Sequence, residues 1–273
     1  MNKLFYRSLA LLLVILFTGC DPITDIQGVG TVITSADQLQ VTITPVMDNA
    51  LKTNKVKVHC TSPVNCQWTD GVKKYNSNDT VMTLFITGDI TIKLSAMAAD
   101  GTLLTKNFVT TVDELKFPVE PQYGYFCGAG VKTWTWAASG SFGNGGATDV
   151  KPAWWILSPS DLTGQCTGKS LPAEGAGATM KFTLNGLILD KVTADGTVTS
   201  GNFSFDMKNI KLVGWSIGKL TITNTNILFG YDINAAGNPP FSVYDIISLD
   251  ANKMILSALG KDGTNWYWVF MAQ

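Results

Sequence analysis

Hydrophobic and polar residues alternate between residues 37 and 115, which is the pattern of half-buried β-strands. Turn-forming pairs such as Asp70-Gly71 and Gly88-Asp89 separate the alternating runs, and none of the runs has a helical period. The residues expected to face the core in these runs are Leu39, Val41 and Ile43, then Val56, Val58 and Cys60, then Ile90, Ile92, Leu94 and Ala96, and last Phe108, Thr110 and Val112. Short strands divided by turns predict an antiparallel β-sandwich over residues 37–115.

A second set of alternating runs fills residues 123–273. The predicted strands cover residues 180–185, 187–189, 196–200, 203–207, 217–222, 227–229, 243–249, 253–259 and 265–270. Because no helix is long enough to fill a crossover connection, these strands predict an antiparallel sandwich or a closed up-and-down barrel. The fold class is therefore all-β. Residues 164–177 are expected to form a surface loop, and residues 116–122, which contain two prolines, are expected to form a stiff linker between the modules.

The amino terminus has the features of a secretory signal. Residues 1–19 begin with the basic Lys3 and Arg7, continue with an apolar run and end in small residues directly before Cys20. This ending resembles a lipobox, which implies a lipid on Cys20, an anchor in the outer membrane and a tether over residues 20–36. Ordinary cleavage is the alternative, and the face of the membrane stays open.

The remaining four of the five cysteines are Cys60, Cys66, Cys127 and Cys166. An even number in an exported chain predicts two disulfide bonds. The simplest of the three possible pairings joins Cys60 to Cys66 and Cys127 to Cys166. Metal binding is disfavoured, because the chain has no C-x-x-C motif and a single histidine, His59. No metal and no cofactor are expected.

Composition excludes one class of partner and disfavours catalysis. Without Lys3 and Arg7 the mature chain has 18 basic and 21 acidic residues, a net charge of −3, so nucleic acid is not an expected partner. A glycosidase needs two carboxylates that flank the scissile bond. The only glutamate beyond the linker is Glu174, and the aspartates that remain do not form a tight pair on one strand: Asp149, Asp161, Asp190, Asp206, Asp232 and Asp245. A serine triad would need His59, which lies in the other module, so no catalytic residue is predicted.

Residues 123–155 hold four of the eight tryptophans and a glycine-rich segment, Gly143-Asn144-Gly145-Gly146. The adjacent Trp154 and Trp155 must face opposite ways in an extended backbone, so not all four indoles can be buried. A partly exposed indole suits stacking on the C–H face of a sugar ring. The predicted ligand-binding residues are Trp154 and Trp155 as one wall, Trp134 as a second surface, Asn144, Asp149 and Lys151 as hydrogen-bonding groups, and Trp215 as a third platform. Packing in the core is the competing interpretation for each tryptophan.

Two resemblances extend this interpretation. Trp68-Thr69-Asp70-Gly71 with Gly88-Asp89-Ile90-Thr91-Ile92 resembles the signatures of PKD-type immunoglobulin-like modules, which implies a spacer or platform role for residues 37–115 and a core position for Trp68. The segments KTWTW, GNGG, PAWW, GWSIGKLTI and YDIISLDANKMIL resemble the carboxy-terminal β domain of PKD-containing surface lipoproteins from glycan-foraging gut bacteria. That resemblance implies capture of a glycan without cleavage, beside an import complex of the outer membrane. The chain departs from it at Ala137, where an acidic residue is expected.

Three functions therefore remain open. The first is a non-catalytic glycan-binding lipoprotein. The second is a carrier of a small apolar molecule, which predicts a barrel cavity lined by Trp215, Phe229 and Tyr244. The third is a structural or adhesive surface subunit, which predicts that the four tryptophans of residues 123–155 are all buried.

Overall fold

The computed structural model describes residues 33–273. The predicted signal segment 1–19, the predicted lipidation site Cys20 and most of the predicted tether lie outside the described residues. The described chain is nearly all β, with 47% strand and 8% helix. Within residues 33–273, no helix is long and apolar enough to cross a membrane.

The first module is the predicted β-sandwich. Its elements are a 3-10 helix at Ala36–Gln38, β1 Val41–Asp48, β2 Leu51–Cys60, β3 Asn65–Thr69, β4 Lys74–Asn76, β5 Asp79–Thr83, β6 Gly88–Met97 and β7 Leu103–Val112. Two antiparallel sheets, β1-β2-β5 and β4-β3-β6-β7, bury the alternate residues that the sequence pattern selects, such as Val58 and Ile92. Trp68 is fully buried, as predicted, and its indole N–H donates to the carbonyl of Ser77 at 2.8 Å.

The predicted disulfides are absent from the structure, since all four cysteines in the described part of the chain are free thiols. Cys60 and Cys66 lie on the two facing sheets, 3.6 Å apart, so their predicted neighbourhood is correct while the bond is not formed. The predicted pairing of Cys127 with Cys166 is wrong, because the helices that carry them lie at opposite ends of the second module. Burial raises the pKa of the Cys66 and Cys127 thiols to about 12.

The second module is a closed barrel. Its elements are α1 Gln122–Cys127, β8 Val131–Trp136, β9 Phe142–Gly145, β10 Trp155–Leu157, α2 Pro159–Gly168, β11 Thr179–Thr183, β12 Ile188–Val192, β13 Val198–Asp206, β14 Gly218–Thr223, β15 Val243–Leu249, β16 Lys253–Leu259 and β17 Asn265–Ala272. Eight antiparallel strands, β8 and β11 to β17, close the ring through the pairing of β17 with β8. The remaining two, β9 and β10, extend from the first half of β17.

Side chains fill the interior of this barrel. Trp134, Trp266, Trp268 and Phe270 are fully or almost fully buried, and Phe142 stacks on Trp266 with ring centroids 5.3 Å apart. An eight-stranded barrel is just wide enough for its own side chains to fill. The face of β17 that carries Trp266, Trp268 and Phe270 is therefore a wall of the core, as the alternation predicts.

The carrier cavity predicted from Trp215, Phe229 and Tyr244 does not form. Phe229 and Tyr244 belong to the main core, whereas Trp215 belongs to a second cluster with Tyr267 and Val269. Since Tyr267 and Val269 alternate with the interior residues of β17, this second cluster lies on the outer face of the barrel.

Two local predictions are wrong. Residues 227–229 form a buried loop instead of a strand. Residues 164–168, expected in a loop, form the last part of helix α2. A capping box stabilises the start of this helix, where Asp161 Oδ2 accepts a hydrogen bond from the Ser158 amide at 2.9 Å and Ser158 Oγ accepts one from the Asp161 amide at 3.3 Å.

The two modules touch directly, so residues 116–122 do not hold them apart as a spacer. The ring of Tyr123 lies between Phe85 of the sandwich, at 4.6 Å, and Phe205 of the barrel, at 4.7 Å. Its neighbour Phe126 closes this end of the barrel and stacks on Phe182 at 5.3 Å. We call this the near end of the barrel, and the opposite end, where β17 begins, the far end.

Candidate functional site

The candidate site is the platform loop, residues 146–155, which follows the glycine-rich strand β9 at the far end of the barrel. The phenol of Tyr267 donates to the Gly146 carbonyl at 2.6 Å, and the Trp215 indole N–H donates to the Asp149 carbonyl at 2.6 Å. Asp149 Oδ2 in turn accepts from the Gly146 amide at 2.7 Å. Because groups on the outer face of the barrel hold the loop at two points, its shape is set before any ligand arrives.

Glycine is required where neighbouring backbone comes close. A Cβ atom on Gly143 would lie 1.8 Å from the Trp155 carbonyl oxygen, which would prevent β9 and β10 from pairing. A Cβ atom on Gly145 would lie 2.7 Å from Asp149 Oδ2 and 3.2 Å from Tyr267 Cε2. Close packing therefore explains Gly143 and Gly145, and no phosphate-binding loop is needed to account for them.

Trp154 and Trp155 have different surroundings, since Trp154 lies in the bend before β10 and Trp155 is the first residue of that strand. Trp154 is 67% exposed, and its Cζ2 would lie 3.5 Å from a Cβ on Gly146, so the indole rests against this glycine. Trp155 is 37% exposed, and its ring packs edge-on to Phe142 and Trp266, each at 6.3 Å between centroids. The site thus combines one indole open to solvent with a second that is anchored in the core.

The polar residues predicted for the site surround this pair. The side-chain oxygen of Asn144 accepts from the Trp155 amide at 3.0 Å, and its carbonyl accepts from the amides of Ala153 and Trp154. Asn144 and Asp149 therefore position the loop, and each is only partly buried. Lys151 is exposed beside them and is free to reach a ligand.

The predicted role as an exposed stacking surface is wrong for two residues, Trp134 and Trp215. Trp134 is fully buried in the barrel, where its indole N–H donates to the Phe126 carbonyl at 3.0 Å, so it offers no stacking surface. Trp215 is buried on the outer face under the platform loop and acts as its support. Trp134 is buried because the barrel closes around it and its indole fills part of the interior. The alternation of residues along β8 does not show whether the sheet closes.

Tyr267 is the residue that sequence reasoning missed. Its signal was available, because it alternates with Trp266 and Trp268 and so must lie on the outer face of β17. Burial raises the pKa of Tyr267, and the phenol therefore remains a hydrogen-bond donor to the loop across the physiological range.

Charged and polar groups continue on the outer face beside Tyr267. Asp245 lies 3.6 Å from Lys211 Nζ and 3.3 Å from Lys219 Nζ, and the Lys211 ammonium is 5.2 Å from the centre of the Trp215 ring. These contacts hold the segment that carries Trp215 on the barrel. Among residues 33–273, no group of three or more histidine, cysteine or acidic side chains is placed to hold a metal ion.

Comparison of the sequence with protein-family models and with curated proteins finds no match. The interpretation of the site therefore rests on its own geometry and on the sequence resemblances.

Replacing Trp215 with phenylalanine is expected to loosen the platform loop. The change keeps an aromatic ring but removes the N–H donor to the Asp149 carbonyl, and loss of one such bond lowers the free energy of unfolding by about 1 to 2 kcal/mol. Hydrogen exchange of the amides in residues 146–155 should become faster, while exchange in the sandwich stays the same. Val213→Ala, an exposed change two residues away, is the control, and unaltered exchange in Trp215→Phe would remove the supporting role of Trp215.

Proposed function

We propose that this chain is a non-catalytic glycan-binding lipoprotein of the outer membrane, and that the platform loop is where it holds the sugar. The observation that carries the proposal is the 67% exposure of Trp154 on a loop that two part-buried hydrogen bonds, from Trp215 and Tyr267, hold on the barrel. A large ring that fixed contacts of its loop hold open to solvent is pre-organised for contact with a partner.

The surroundings of Trp154 fit a sugar better than an apolar partner. Lys151, three residues before Trp154 in the loop, is exposed, and Asn144 and Asp149 are partly exposed. A pyranose offers an apolar C–H face for the indole and hydroxyl groups at its rim for these side chains. Because the indole of Trp154 is open at the surface of the loop, one sugar unit of a polysaccharide or oligosaccharide can stack on it without entering a cavity.

Binding without cleavage is the form of the function that we propose. The carboxylate of the platform loop, Asp149, accepts a hydrogen bond from the Gly146 amide and so takes part in the structure of the loop itself. A hydrolase would need it to face a second carboxylate across the sugar. Glu174, the glutamate of the barrel, is fully buried and paired with Lys191, which removes it from this surface.

The membrane anchor and the partners follow from the amino-terminal sequence and the resemblances. A lipid on Cys20 would tether the PKD-type sandwich, and the platform would lie at the far end of the barrel. The register supports this placement, since β9 pairs with residues 265–268 of β17, whereas the sandwich packs on the opposite end. An import complex of the outer membrane is the expected partner. The structural-subunit alternative required four buried tryptophans, and Trp154 does not meet that requirement.

Replacing Trp154 with alanine is expected to weaken glycan binding by about 5- to 150-fold, which corresponds to the 1 to 3 kcal/mol of a well-placed aromatic anchor. The mature chain is tested by affinity electrophoresis against a panel of soluble polysaccharides, with an assay for released reducing sugar. Retardation by one polysaccharide, lost in Trp154→Ala and without release of sugar, is the expected result.

Leu103→Ala is the control for this test, because it also removes an exposed apolar side chain but lies in the sandwich. Equal losses in the two variants, or no retardation by any polysaccharide of the panel, would sink the proposal. Release of reducing sugar would show that the protein cleaves the polysaccharide, and a catalytic function would then replace the proposed non-catalytic binding.

A further inference from the structure

A cavity of about 510 Å³ opens at the far end of the barrel, away from the platform loop in sequence. Its lining includes Thr223, Asn224 and Asn226 at the end of β14, and Tyr231, Phe241 and Ser242 from the loop that leads into β15. The volume falls within the range of small-molecule sites in proteins. None of these residues belongs to the platform.

A buried ion pair supports the wall of this cavity. Glu174 Oε1 lies 2.6 Å from Lys191 Nζ, and both side chains are almost completely buried. The Lys191 ammonium also donates to the side-chain oxygen of Asn226, whose amide nitrogen donates to the Gly230 carbonyl at 2.9 Å. The charged pair thus fixes the orientation of a residue that lines the cavity.

The same pair holds an unusual backbone conformation. Phe229 has φ of 50°, in the left-handed region that bulky residues avoid. Its amide donates to Glu174 Oε2 at 2.5 Å, and its carbonyl accepts from the indole N–H of Trp268 at 3.0 Å. Conformations of this kind persist where the surroundings over-determine them, and they concentrate at ligand sites. A buried ion pair often adds little net stability, so a contribution to stability does not by itself explain this pair. Its position beside the cavity suggests that it serves to fix the cavity wall.

The lining selects the class of ligand. It combines hydroxyl groups, the side-chain amide of Asn224 and the rings of Tyr231 and Phe241, and none of the lining residues carries a formal charge. The side-chain amide of Asn226 is already bonded to Lys191 and Gly230. Burial, together with the nearby Glu174 carboxylate, raises the pKa of Tyr231 to about 12, so the phenol stays protonated. Neutral donors and acceptors around aromatic walls match a neutral ring with several hydroxyl groups, and they match neither an anion nor a purely apolar molecule.

We propose that this cavity binds one neutral sugar unit, as a second site that is separate from the platform loop. The inference rests on the lining of the cavity and holds whether or not the platform binds a polysaccharide. Both sites lie at the far end of the barrel. A series of aromatic contacts connects them through the core, from Trp155 to Phe142, from Phe142 to Phe229 at 5.0 Å and from Phe229 to Tyr231 at 6.4 Å.

Asn224→Gly tests the site without straining the backbone. Asn224 has φ of 65°, a conformation that glycine adopts freely, so the substitution removes the side chain of a lining residue without straining its backbone. The purified full chain is titrated with glucose, galactose and mannose by saturation-transfer NMR, beside glucuronate and cyclohexanol as charged and apolar probes. One of the three neutral sugars should bind, and Asn224→Gly should weaken it by about 5- to 10-fold, the effect of lost hydrogen bonds.

The matched control is Asn238→Gly, since Asn238 also has positive φ, 44°, in the same loop but does not line the cavity. Its affinity should equal that of the unmodified chain. Phe241→Leu, which removes a ring face, should weaken binding as Asn224→Gly does. The proposal is overturned if none of the neutral sugars binds, if glucuronate or cyclohexanol binds instead, if Asn238→Gly loses as much as Asn224→Gly, or if Trp154→Ala abolishes monosaccharide binding. Polysaccharide retardation by the platform is scored independently, so the two proposals fail separately.

Discussion

Lys191→Met is expected to lower the free energy of unfolding by about 3 to 5 kcal/mol, because it leaves the Glu174 carboxylate buried without a partner. Methionine replaces the length of the side chain but not its charge. The loss should be measured by urea unfolding followed by far-UV circular dichroism. Since Glu174 also holds the Phe229 amide, hydrogen exchange in residues 226–231 should rise more than elsewhere in the barrel.

Lys181→Met is the matched control for this change. Lys181 pairs with Asp190 at 3.1 Å, but its side chain is half exposed, and a pair of that kind contributes about 1 kcal/mol or less. The double variant Lys191→Met with Glu174→Gln should recover part of the loss, because the amide oxygen still accepts from Phe229 and the buried charge is gone. Equal effects of Lys191→Met and Lys181→Met would show that the buried pair has no special role.

Trp134→Ala is expected to lower the free energy of unfolding by about 3 to 5 kcal/mol, the usual cost of removing a large aromatic side chain from a core. Its indole fills the barrel, and the truncation also leaves the Phe126 carbonyl without its donor. Trp154→Ala should change stability by no more than about 0.5 kcal/mol, because most of that side chain is in water. Urea unfolding of both variants, followed by circular dichroism, measures the difference.

Comparable losses in the two tryptophan variants would mean that Trp154 packs against protein in solution, and the platform would lose its basis. If Trp134→Ala does not fold, Trp134→Phe keeps the comparison possible with a smaller expected loss. The contrast between the variants also separates a binding defect in Trp154→Ala from a folding defect.

Part of the candidate site could be read from local pattern. Trp154 and Trp155 are adjacent, so the sequence predicts that one of them turns away from the core if their backbone is extended, and Trp154 is 67% exposed. Local pattern could not say that Trp134 would be enclosed while Trp154 stays open. That difference depends on tertiary structure. β8, which carries Trp134, pairs with β17 and closes the barrel, whereas Trp154 lies in a loop outside it.

The cavity near Asn226 shows a stronger limit. Glu174, Lys191, Asn226 and Phe229 meet there, although they come from three separate parts of the chain. The sequence predicts a surface loop around Glu174 and a strand over residues 227–229. Neither prediction reveals the buried ion pair, because the pair forms through contacts between segments that are distant in sequence.

The alternation of side chains was sufficient to predict an all-β chain, two modules, and the inner faces of strands such as β6 and β17. A period of two is a property of each strand by itself, so it survives without knowledge of the neighbours. Closure of the barrel, direct contact between the modules through Tyr123, the free state of Cys60 and Cys66, and the support of the platform by Trp215 and Tyr267 were decided by the folded chain. Each of them depends on pairing between residues far apart in sequence, where many registers are compatible with the same pattern and packing selects one.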